Sequence, residues 1–462
     1  MIWGDTMKLR QEIFREYDIR GIVGEDLTPE TVELLGKGIG TYFRRQGKKD
    51  VALGGDCRLS TPQFAEALAK GLLSTGCSVT HLGTIPTPLL YFTMYTKPYD
   101  AGVMITGSHN PPEYNGFKIM VGKETLFGKT ILDIYSLIKS SDFIQESPGE
   151  TTQINIGPEY FNWVVNNISL SKKLRVVVDA GNGTGGVVAV PIFEHLGCEV
   201  IPLYCEMDGN FPNHHPDPTL PEALEDLIKK VAETEADLGI AYDGDSDRIG
   251  VIDDKGKIIW GDMLMVLFAR DVLSKNPGAA VISEVKASKL LYEEIEKLGG
   301  RPIMWKTGHS LMKKKIKEEH ALLAGEMSGH IFFADRFFGF DDAIYSSARV
   351  LEILSRSEKK LSELLGDLPK TYITPEIRVY ASDEVKFKIV DGVKGVLSAK
   401  HPVIDIDGVR AIYPTGWALV RASNTQGALV LRFEADTEED LAAIRKEVEQ
   451  TLESVIAKLE DS

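Results

Sequence analysis

The feature that most constrains the fold is a recurring order of a short apolar run, a polar loop and an amphipathic stretch. Several runs are continuously apolar rather than alternating, among them Ala101–Ile105, Arg175–Asp179 and Leu238–Tyr242. Strands of this type are buried on both faces of a sheet, and the helices that separate them provide the cover. The pattern therefore predicts an α/β chain with parallel or mixed sheets.

The pattern also indicates how the chain is divided. A unit of strand, helix, strand and polar loop recurs near residues 50–120, 175–245 and 279–335. After Pro369 short strand candidates are followed by a helix from about residue 438 to 458, which predicts a smaller α+β domain. A chain of 462 residues suggests three domains on a prior of about 150 residues each.

Charge and cysteine content exclude some classes of partner. The chain has 52 Lys+Arg and 68 Asp+Glu, a formal net charge of -16. This charge argues against binding to nucleic acid or to an anionic membrane, but not against an anionic small molecule in a local basic cleft. The four cysteines form no CxxC pair, which is typical of a reducing cytoplasm. No apolar run reaches the length of about 18 residues that a membrane-spanning helix needs.

The first polar loop of interest, residues 106–118, follows the apolar run Ala101–Ile105. Ligand sites in α/β sheets lie at the carboxyl ends of strands, where this loop displays Ser108. We interpret Ser108 as a nucleophile or phosphate carrier with His109 and Lys118 nearby. The alternative interpretation is an ordinary turn rich in Asn, Gly and Pro.

The second loop carries three aspartates at alternate positions, Asp243, Asp245 and Asp247, directly after an apolar strand. Such carboxylates repel one another unless a cation joins them, and hard oxygen ligands suit Mg²⁺ or Mn²⁺. A calcium EF-hand is excluded, because Arg248 and Asp254 stand where that motif needs Gly and Glu. The alternative is a solvated acidic turn.

Two further loops hold groups suited to a phosphorylated sugar. Residues 325–330, with the sequence GEMSGH, place Glu326 and Ser328 between glycines, where they can bind sugar hydroxyls. Residues 421–427 combine a guanidinium, two hydroxyls and backbone N–H groups, a combination that suits phosphate. In isolation, each loop is equally consistent with a simple hairpin or β-turn.

A glycine run suggests a competing hypothesis. Residues 181–186, GNGTGG, match the GxGxxG pattern between a strand and a helix, and Glu206 lies at a suitable distance for a ribose contact. An NAD(P)-dependent oxidoreductase is therefore the alternative from a different class of enzyme. His214 and His215 are interpreted as surface residues rather than as a metal pair.

Taken together and in order, the four polar loops resemble the signature loops of the α-D-phosphohexomutase family. Residues 17–21 (YDIRG) and 308–310 (GHS) extend the resemblance over nearly the whole chain. The loop GEMSGH is most similar to that of the bacterial phosphomannomutase/phosphoglucomutase enzymes of this family. The resemblance implies reversible transfer of phosphate between C1 and C6 of mannose or glucose phosphate, through a phosphoserine and a hexose 1,6-bisphosphate. A phosphoglucosamine mutase of the same family and a phosphatase that uses the same serine are further alternatives.

The resemblance also implies an architecture, which replaces the three domains suggested by length. Four domains are expected around a central cleft, three similar α/β units with mixed sheets and a C-terminal α+β domain. Their expected bounds are residues 1–157, 158–260, 261–369 and 370–462. The enzyme is expected to be a cytoplasmic monomer or weak homodimer, with a hinge near residues 367–375.

The site residues implied by the resemblance fall into three groups. The catalytic group comprises Ser108, Arg20, Lys118, His330, Arg248 and His109, with Lys118 and His330 as candidates for acid and base. The substrate-binding group comprises Tyr17, Lys286, His309, Glu326, Ser328, Arg421, Ser423, Asn424 and Thr425. One Mg²⁺ is expected on Asp243, Asp245, Asp247 and an oxygen of phosphorylated Ser108, and a hexose 1,6-bisphosphate is the expected activator.

Overall fold

The chain forms four sheets in sequence order, described here from a computed structural model over residues 9–424 and 426–460. The first sheet has the strand order β1-β5-β4-β2-β3-β7, with β6 on β5. Strands β2, β3, β4 and β7 are parallel, whereas β5 runs antiparallel to β4 and β1. Its strands are β1 (Ile19–Ile22), β2 (Asp50–Gly55), β3 (Ser78–Thr84), β4 (Ala101–Ile105), β5 (Tyr114–Val121), β6 (Glu124–Thr125) and β7 (Thr151–Gln153). Its helices are α1 (Pro29–Arg45), α2 (Thr61–Leu73), α3 (Thr87–Thr96) and α4 (Lys129–Ser140).

The second sheet is also mixed, with the order β12-β11-β10-β8-β9. Its strands are β8 (Arg175–Asp179), β9 (Glu199–Leu203), β10 (Leu238–Tyr242), β11 (Ile249–Asp253) and β12 (Ile258–Ile259). Its helices are α5 (Gly157–Asn167), α6 (Gly186–His195) and α7 (Glu225–Thr234).

The third sheet repeats the mixed arrangement in the order β14-β13-β15-β16. Its strands are β13 (Ala280–Glu284), β14 (Arg301–Trp305), β15 (Leu323–Gly325) and β16 (Ile331–Phe333). Its helices are α8 (Gly261–Lys275), α9 (Lys289–Lys297), α10 (His309–Glu319) and α11 (Ala343–Ser355).

The fourth sheet differs from the others because all its paired strands are antiparallel. The order is β17-β22-β21-β20-β19, and β18 pairs with β22. Its elements are β17 (Tyr372–Ile373), β18 (Ile377–Tyr380), α12 (Lys386–Leu397), β19 (Val403–Ile404), β20 (Val409–Tyr413), β21 (Gly416–Ala422), β22 (Ala428–Ala435) and α13 (Glu438–Glu460). Three mixed units and a C-terminal α+β unit confirm the predicted fold class. The bounds given above for the four domains stay predictions.

All four polar loops occupy the same position in the topology of their sheets. Each loop joins a buried strand to an antiparallel neighbour: β4 to β5, β10 to β11, β15 to β16 and β21 to β22. In the first three units the leading strand also pairs with a parallel strand, so the loop lies at the carboxyl edge of the sheet. This is the edge at which α/β sheets bind ligands. Within the described residues, no helix combines the length and apolar content needed to cross a membrane.

Candidate active site

Ser108 lies buried at the carboxyl end of β4, with 3% of its surface exposed. Its Oγ donates to Asp243 Oδ2 at 2.9 Å and lies 3.2 Å from Nδ1 of His109. Burial lowers the pKa of His109 well below its usual value, and the charges of Arg248 and Arg20 lower it further. His109 is therefore a neutral neighbour of the serine. The φ of Ser108 is 49°, a left-handed conformation that persists only where surrounding contacts enforce it.

Arg58 supplies many of those contacts. Its side chain is fully buried, and its Nε donates to Asp56 Oδ2 at 3.1 Å. The two Nη atoms donate to carbonyl oxygens along the serine loop, those of Ser108, Asn110, Pro111 and Tyr114. One side chain therefore holds the whole loop in shape.

Arg20 approaches the same loop from β1, where it lies opposite Gly116 of β5. Its Nη atoms donate to the side chains of Asn110 and Asp18. Its Nε is buried and has no hydrogen-bond partner among the described residues. Arg20 thus reaches the serine loop as a guanidinium that is paired with Asp18 and keeps one unpartnered donor, and its catalytic role stays a prediction.

The three aspartates converge, as their spacing predicts. Asp243, Asp245 and Asp247 are each 0% exposed, and one oxygen of each lies within 4.8 Å of the others. Lys118 Nζ donates to Oδ2 of Asp245 at 2.6 Å and to Oδ2 of Asp247. The two Oδ1 atoms of these aspartates are buried without a hydrogen-bond partner in the described part of the chain. Hard, unpartnered oxygens in a cluster of this charge fit a divalent cation such as Mg²⁺.

The charges in this cluster depend on one another. Burial raises the pKa of Asp243, and the neighbouring carboxylates of Asp245 and Asp247 raise it further. Burial opposes ionisation of Asp245 too, but Lys118 outweighs it and holds that pKa below its usual value. Burial would lower the pKa of Lys118, yet the three aspartates raise it above the usual lysine value. Lys118 is thus protonated in this site, and its one positive charge only partly neutralises the three carboxylates.

His330 accepts a hydrogen bond at one ring nitrogen and lies close to a carboxylate with the other. Nε of Arg248 donates to His330 Nε2 at 2.9 Å, so the ring proton belongs on Nδ1, which faces Asp341 Oδ2 at 3.1 Å. Lys313 Nζ donates to the other oxygen of Asp341 at 3.0 Å. His309 stacks on His330 with ring centroids 5.5 Å apart. Burial and the charge of Lys313 hold the pKa of His309 well below its usual value, so this ring is neutral.

The loop of residues 325–330, which was predicted to bind the sugar and is called the sugar loop here, is held by hydrogen bonds to carboxylates. Glu326 is 3% exposed; its Oε1 accepts from Gly308 N at 2.8 Å, and its Oε2 lies 3.3 Å from Ser328 Oγ. Burial raises the pKa of Glu326, and the nearby Glu284 raises it further. Glu284 Oε1 in turn accepts from Met327 N at 2.9 Å. The loop is thus fixed in place with Glu326 and Ser328 side by side.

The loop of residues 421–427, which was predicted to bind phosphate and is called the phosphate loop here, begins with Arg421 near the end of β21. Nε and Nη2 of Arg421 each lie 3.1 Å from Asp407 Oδ2. Ser423 Oγ accepts from Gln426 N at 3.1 Å. Lys286 Nζ donates to Glu376 Oε2 at 3.1 Å, which ties it to the C-terminal unit. Thr425, predicted to bind substrate, lies outside the described residues.

Tyr17 connects the phosphate loop to the other units. Its hydroxyl donates to Thr307 O at 2.8 Å and accepts from Asn424 Nδ2 at 2.9 Å. Gly308 has a φ of +131°, and a Cβ there would lie 2.5 Å from Tyr17 Cζ. The first, third and fourth units therefore meet at this tyrosine.

Sequence profiles of one family match nearly the entire chain. The domains of phosphoglucomutase/phosphomannomutase match in order: domain I over residues 11–145, domain II over 158–256, domain III over 260–372 and the C-terminal domain over 376–451. The chain belongs to the phosphoglucomutase/phosphomannomutase family. The resemblance stated from the loops is confirmed.

Individual relatives of this phosphoglucomutase/phosphomannomutase family are similar over their full length. A phosphomannomutase/phosphoglucomutase of Pseudomonas aeruginosa is 50% identical over 452 residues, which cover 98% of this chain and 97% of that protein. A phosphoglucomutase of Neisseria meningitidis is 44% identical over 450 residues, 96% of this chain and 98% of that one. The crystal structure of a phosphoglucomutase/phosphomannomutase family protein from Burkholderia thailandensis matches with a TM-score of 0.93 and 42% identity, covering 97% and 98% of the two chains.

The glycine run at residues 181–186, which matches a dinucleotide-binding pattern, packs against the aspartate loop. A Cβ on Gly183 would lie 2.6 Å from Gly244 O, inside the aspartate loop, and Thr184 N donates to that same oxygen at 3.1 Å. The close approach that these glycines permit is thus to the protein itself. We find here a packing role that accounts for the pattern without a dinucleotide.

The interpretation of His214 as a surface residue is wrong. Its side chain is 14% exposed, and Nε2 lies 3.0 Å from Asp179 Oδ2. Its Nδ1 lies 2.9 Å from the backbone oxygen of His215. Burial lowers the pKa of His214, but the bond to Asp179 outweighs burial and raises it overall. The ring is part of the packing below the glycine run.

Several residues of the site were absent from the sequence predictions: Asp56, Arg58, Glu284, Lys313 and Asp341. Arg58 carried a usable signal, since Asp56 and Arg58 directly follow β2, which is parallel to β4 and ends at the same sheet edge. Glu284 is the last residue of β13 and Lys313 lies within α10, so neither stands in a polar loop of the kind that drew attention to the predicted residues.

Proposed function

We propose that the protein is a phosphohexomutase that interconverts the 1- and 6-phosphates of glucose and of mannose. The observation that carries this proposal is the Ser108 hydroxyl 2.9 Å from Asp243, within a buried cluster of three aspartates. Membership of the family and the full-length similarity to named mutases support it. Mannose or glucose phosphate is the proposed substrate.

In the proposed reaction Ser108 carries a phosphoryl group into the cycle. Its O–P bond breaks as a bond forms from phosphorus to the free hydroxyl oxygen of the sugar monophosphate, and the hydroxyl proton passes to a base. The hexose 1,6-bisphosphate then reorients, and its other phosphoryl group returns to Ser108 by the reverse steps. Such transfer needs positioning and charge stabilisation more than covalent chemistry.

Proton transfer is assigned to His330 and Lys118. The Nε2 of His330 has a lone pair that now accepts from Arg248, and Asp341 beside Nδ1 stabilises the ring when it gains a proton. Lys118 is protonated because the aspartates raise its pKa, and it is proposed to give this proton to the oxygen of Ser108 as the phosphoryl group leaves, since an alkoxide is a stronger base than an amine. Arg20 and Arg248 place positive charge beside the transferring group, and His109 borders it as a neutral ring.

Asp243, Asp245, Asp247 and an oxygen of phosphorylated Ser108 are proposed to hold one Mg²⁺. The two unpartnered Oδ1 atoms support this ligand set. When bound, the ion supplies positive charge that stabilises the transferring phosphoryl group.

The remaining loops are proposed to bind the sugar and the phosphate that does not react. Arg421, Ser423, Asn424 and Thr425 bind that phosphate, while Tyr17, Lys286 and His309 line the cleft. Glu326 and Ser328 bind O3 and O4, which nearly exchange places when the bisphosphate turns over. Glucose and mannose differ only at O2, so a grip on O3 and O4 accepts both sugars.

A coupled assay with glucose 1-phosphate and mannose 1-phosphate tests the proposal. We expect both to be substrates, with kcat/KM values within about two decades, a gap of under ~3 kcal/mol in transition-state binding. EDTA should abolish activity and Mg²⁺ should restore it. Ser108→Ala should be inactive, whereas Ser136→Ala, a change in the exposed face of α4, should match the wild type.

The same assay separates the alternatives. Inorganic phosphate released at the rate of turnover would indicate a phosphatase instead. Activity on glucosamine phosphate alone would indicate a phosphoglucosamine mutase. Full activity of Ser108→Ala would refute the phosphoserine mechanism.

We also infer that the enzyme works in the cytoplasm as a monomer or weak homodimer. The four cysteines are free thiols, which supports a reducing compartment. Light scattering coupled to size exclusion measures the oligomeric state directly.

A further inference from the structure

Thr87 joins the serine-bearing unit to the aspartate loop of the second unit. It is the first residue of α3 and is 0% exposed. Its backbone N–H donates to Asp245 O at 2.9 Å, and its Oγ1 donates to Asp245 Oδ2. Both hydrogen-bond donors of Thr87 are therefore directed at one aspartate.

These bonds determine which oxygen of Asp245 stays available. Oδ2 receives two donors, Thr87 Oγ1 and Lys118 Nζ. Oδ1 is buried and lacks a hydrogen-bond partner among the described residues. Two donors on Oδ2 restrict rotation of the carboxylate, and Oδ1 is the oxygen that stays free of donors among the described residues. The positive end of the α3 dipole lies at Thr87 and favours the ionised carboxylate.

We infer that Thr87 is a positioning residue for the cation site, one that orients Asp245 without binding the cation itself. The inference rests on the proposed cation role of the three aspartates. Groups that hydrogen-bond to a metal ligand typically contribute a factor of about 10 to 100 in metal affinity. Because α3 belongs to the same unit as Ser108, Thr87 also sets the position of the cation site relative to the serine.

Titration of the full chain with Mn²⁺, followed by electron paramagnetic resonance of the free ion, tests this inference. The protein is prepared with Ser108 in one phosphorylation state, verified by intact mass, and no sugar is present. Thr87→Val keeps the branched shape but lacks the hydroxyl, and we expect it to bind Mn²⁺ about 10- to 100-fold more weakly. Thr87→Ser keeps the hydroxyl and should stay near the wild-type affinity. Should the valine variant not fold, Thr87→Ala replaces it in the comparison.

Thr93→Val is the matched control, because Thr93 lies in the same helix and is also 0% exposed. Its Oγ1 donates to Leu89 O at 2.7 Å, inside the helix, so its loss should leave Mn²⁺ affinity unchanged. A folded Thr87→Val variant with wild-type affinity would overturn the inference alone. Equal losses in Thr87→Val and Thr93→Val would overturn it as well, by revealing a general effect of buried hydroxyls. A wild type that binds no Mn²⁺ would overturn both this inference and the proposed cation site.

Discussion

At the scale of single residues, Ser108 shows how an unfavourable conformation is maintained. A non-glycine residue with a φ of 49° stores roughly 1–3 kcal/mol of strain, which the surroundings must offset. Arg58 provides that compensation through four carbonyl oxygens and the carboxylate of Asp56. The price of this arrangement is a guanidinium removed from water, which is tolerable because nearly all of its donors are paired.

Replacing Arg58 by methionine should therefore destabilise the serine loop. The change leaves Asp56 as a buried, uncompensated charge and frees the loop carbonyls, a loss of about 3–5 kcal/mol. Hydrogen–deuterium exchange of the amides between residues 106 and 114 measures this local stability, and mutase activity should fall with it. The free energy of local opening should drop most at Ser108.

Arg45→Met is the control for this prediction. Arg45 pairs with Asp142 at 2.7 Å on the surface of the same unit, with side chains 45% and 60% exposed. Such a pair contributes about 0–1 kcal/mol, so exchange in the serine loop should not change. Unchanged exchange in Arg58→Met would mean that the loop keeps its shape without the guanidinium.

Some residues of the site could be predicted from the sequence and others could not, for a physical reason. Ser108 and the three aspartates were predictable because each set directly follows a continuous apolar strand. Thr87, by contrast, acts through a partner distant in sequence, since Asp245 lies 158 positions away. Contacts of that range depend on how strands and sheets assemble, which no local pattern encodes.

At the scale of elements, the strands Ala101–Ile105, Arg175–Asp179 and Leu238–Tyr242 were predicted at their observed bounds. Each of these apolar runs ends at, or within two residues of, a Gly or Asp residue, and such endings mark strand termini. The turn between β8 and α6 was the ambiguous element, since its glycines satisfy a dinucleotide pattern. The spacing of glycines in the sequence does not indicate whether they pack against a ligand or against a neighbouring loop.

Gly183→Ala, in the turn between β8 and α6, should displace the backbone of the aspartate loop at Gly244. Its Cβ would lie 2.6, 2.9 and 3.0 Å from the O, Cα and C atoms of Gly244, so backbone must move on one side or the other. Overpacking of this kind costs typically about 1–3 kcal/mol. We expect weaker Mn²⁺ binding and lower mutase activity, measured by titration and coupled assay.

Gly395→Ala is the matched control, because a Cβ there meets nothing within 4 Å. In the last turn of helix α12 alanine should stabilise by at most about 0.5–1 kcal/mol and leave activity intact. Saturable binding of NADH by the wild type, by contrast, would restore the dinucleotide interpretation of the turn.

At the scale of the whole molecule, the four units are not joined equally. One hydrophobic cluster runs through the first three units and includes Leu89, Val178 and Leu351. The fourth unit has a cluster of its own around β21, β22 and α13. Arg410 and Arg432 of that unit donate to the carbonyl oxygens of the segment from Val285 to Ala287, which carries Lys286. The attachment combines these hydrogen bonds with a small apolar cluster that contains Val285, Trp417 and Leu419. This cluster is smaller than the core shared by the first three units, which is consistent with the predicted hinge near residues 367–375, about which we expect the fourth unit to close on the cleft.

A substitution at Tyr17 can test this closure, because its hydroxyl forms hydrogen bonds to Thr307 of the third unit and Asn424 of the fourth. Tyr17→Phe keeps the ring against Gly308 but removes both bonds, each contributing roughly 1 kcal/mol. We expect the fourth unit to sample more open positions, with a larger radius of gyration in small-angle scattering, and a KM about tenfold higher. The scattering is measured without sugar phosphate, so lost contact with substrate cannot produce the change. Tyr380→Phe, at a side chain 86% exposed, is the control and should match the wild type in both measurements. If the scattering of Tyr17→Phe is also unchanged, the tyrosine bridges the cleft without holding it closed, and the position of the fourth unit must depend on its arginine contacts to the third.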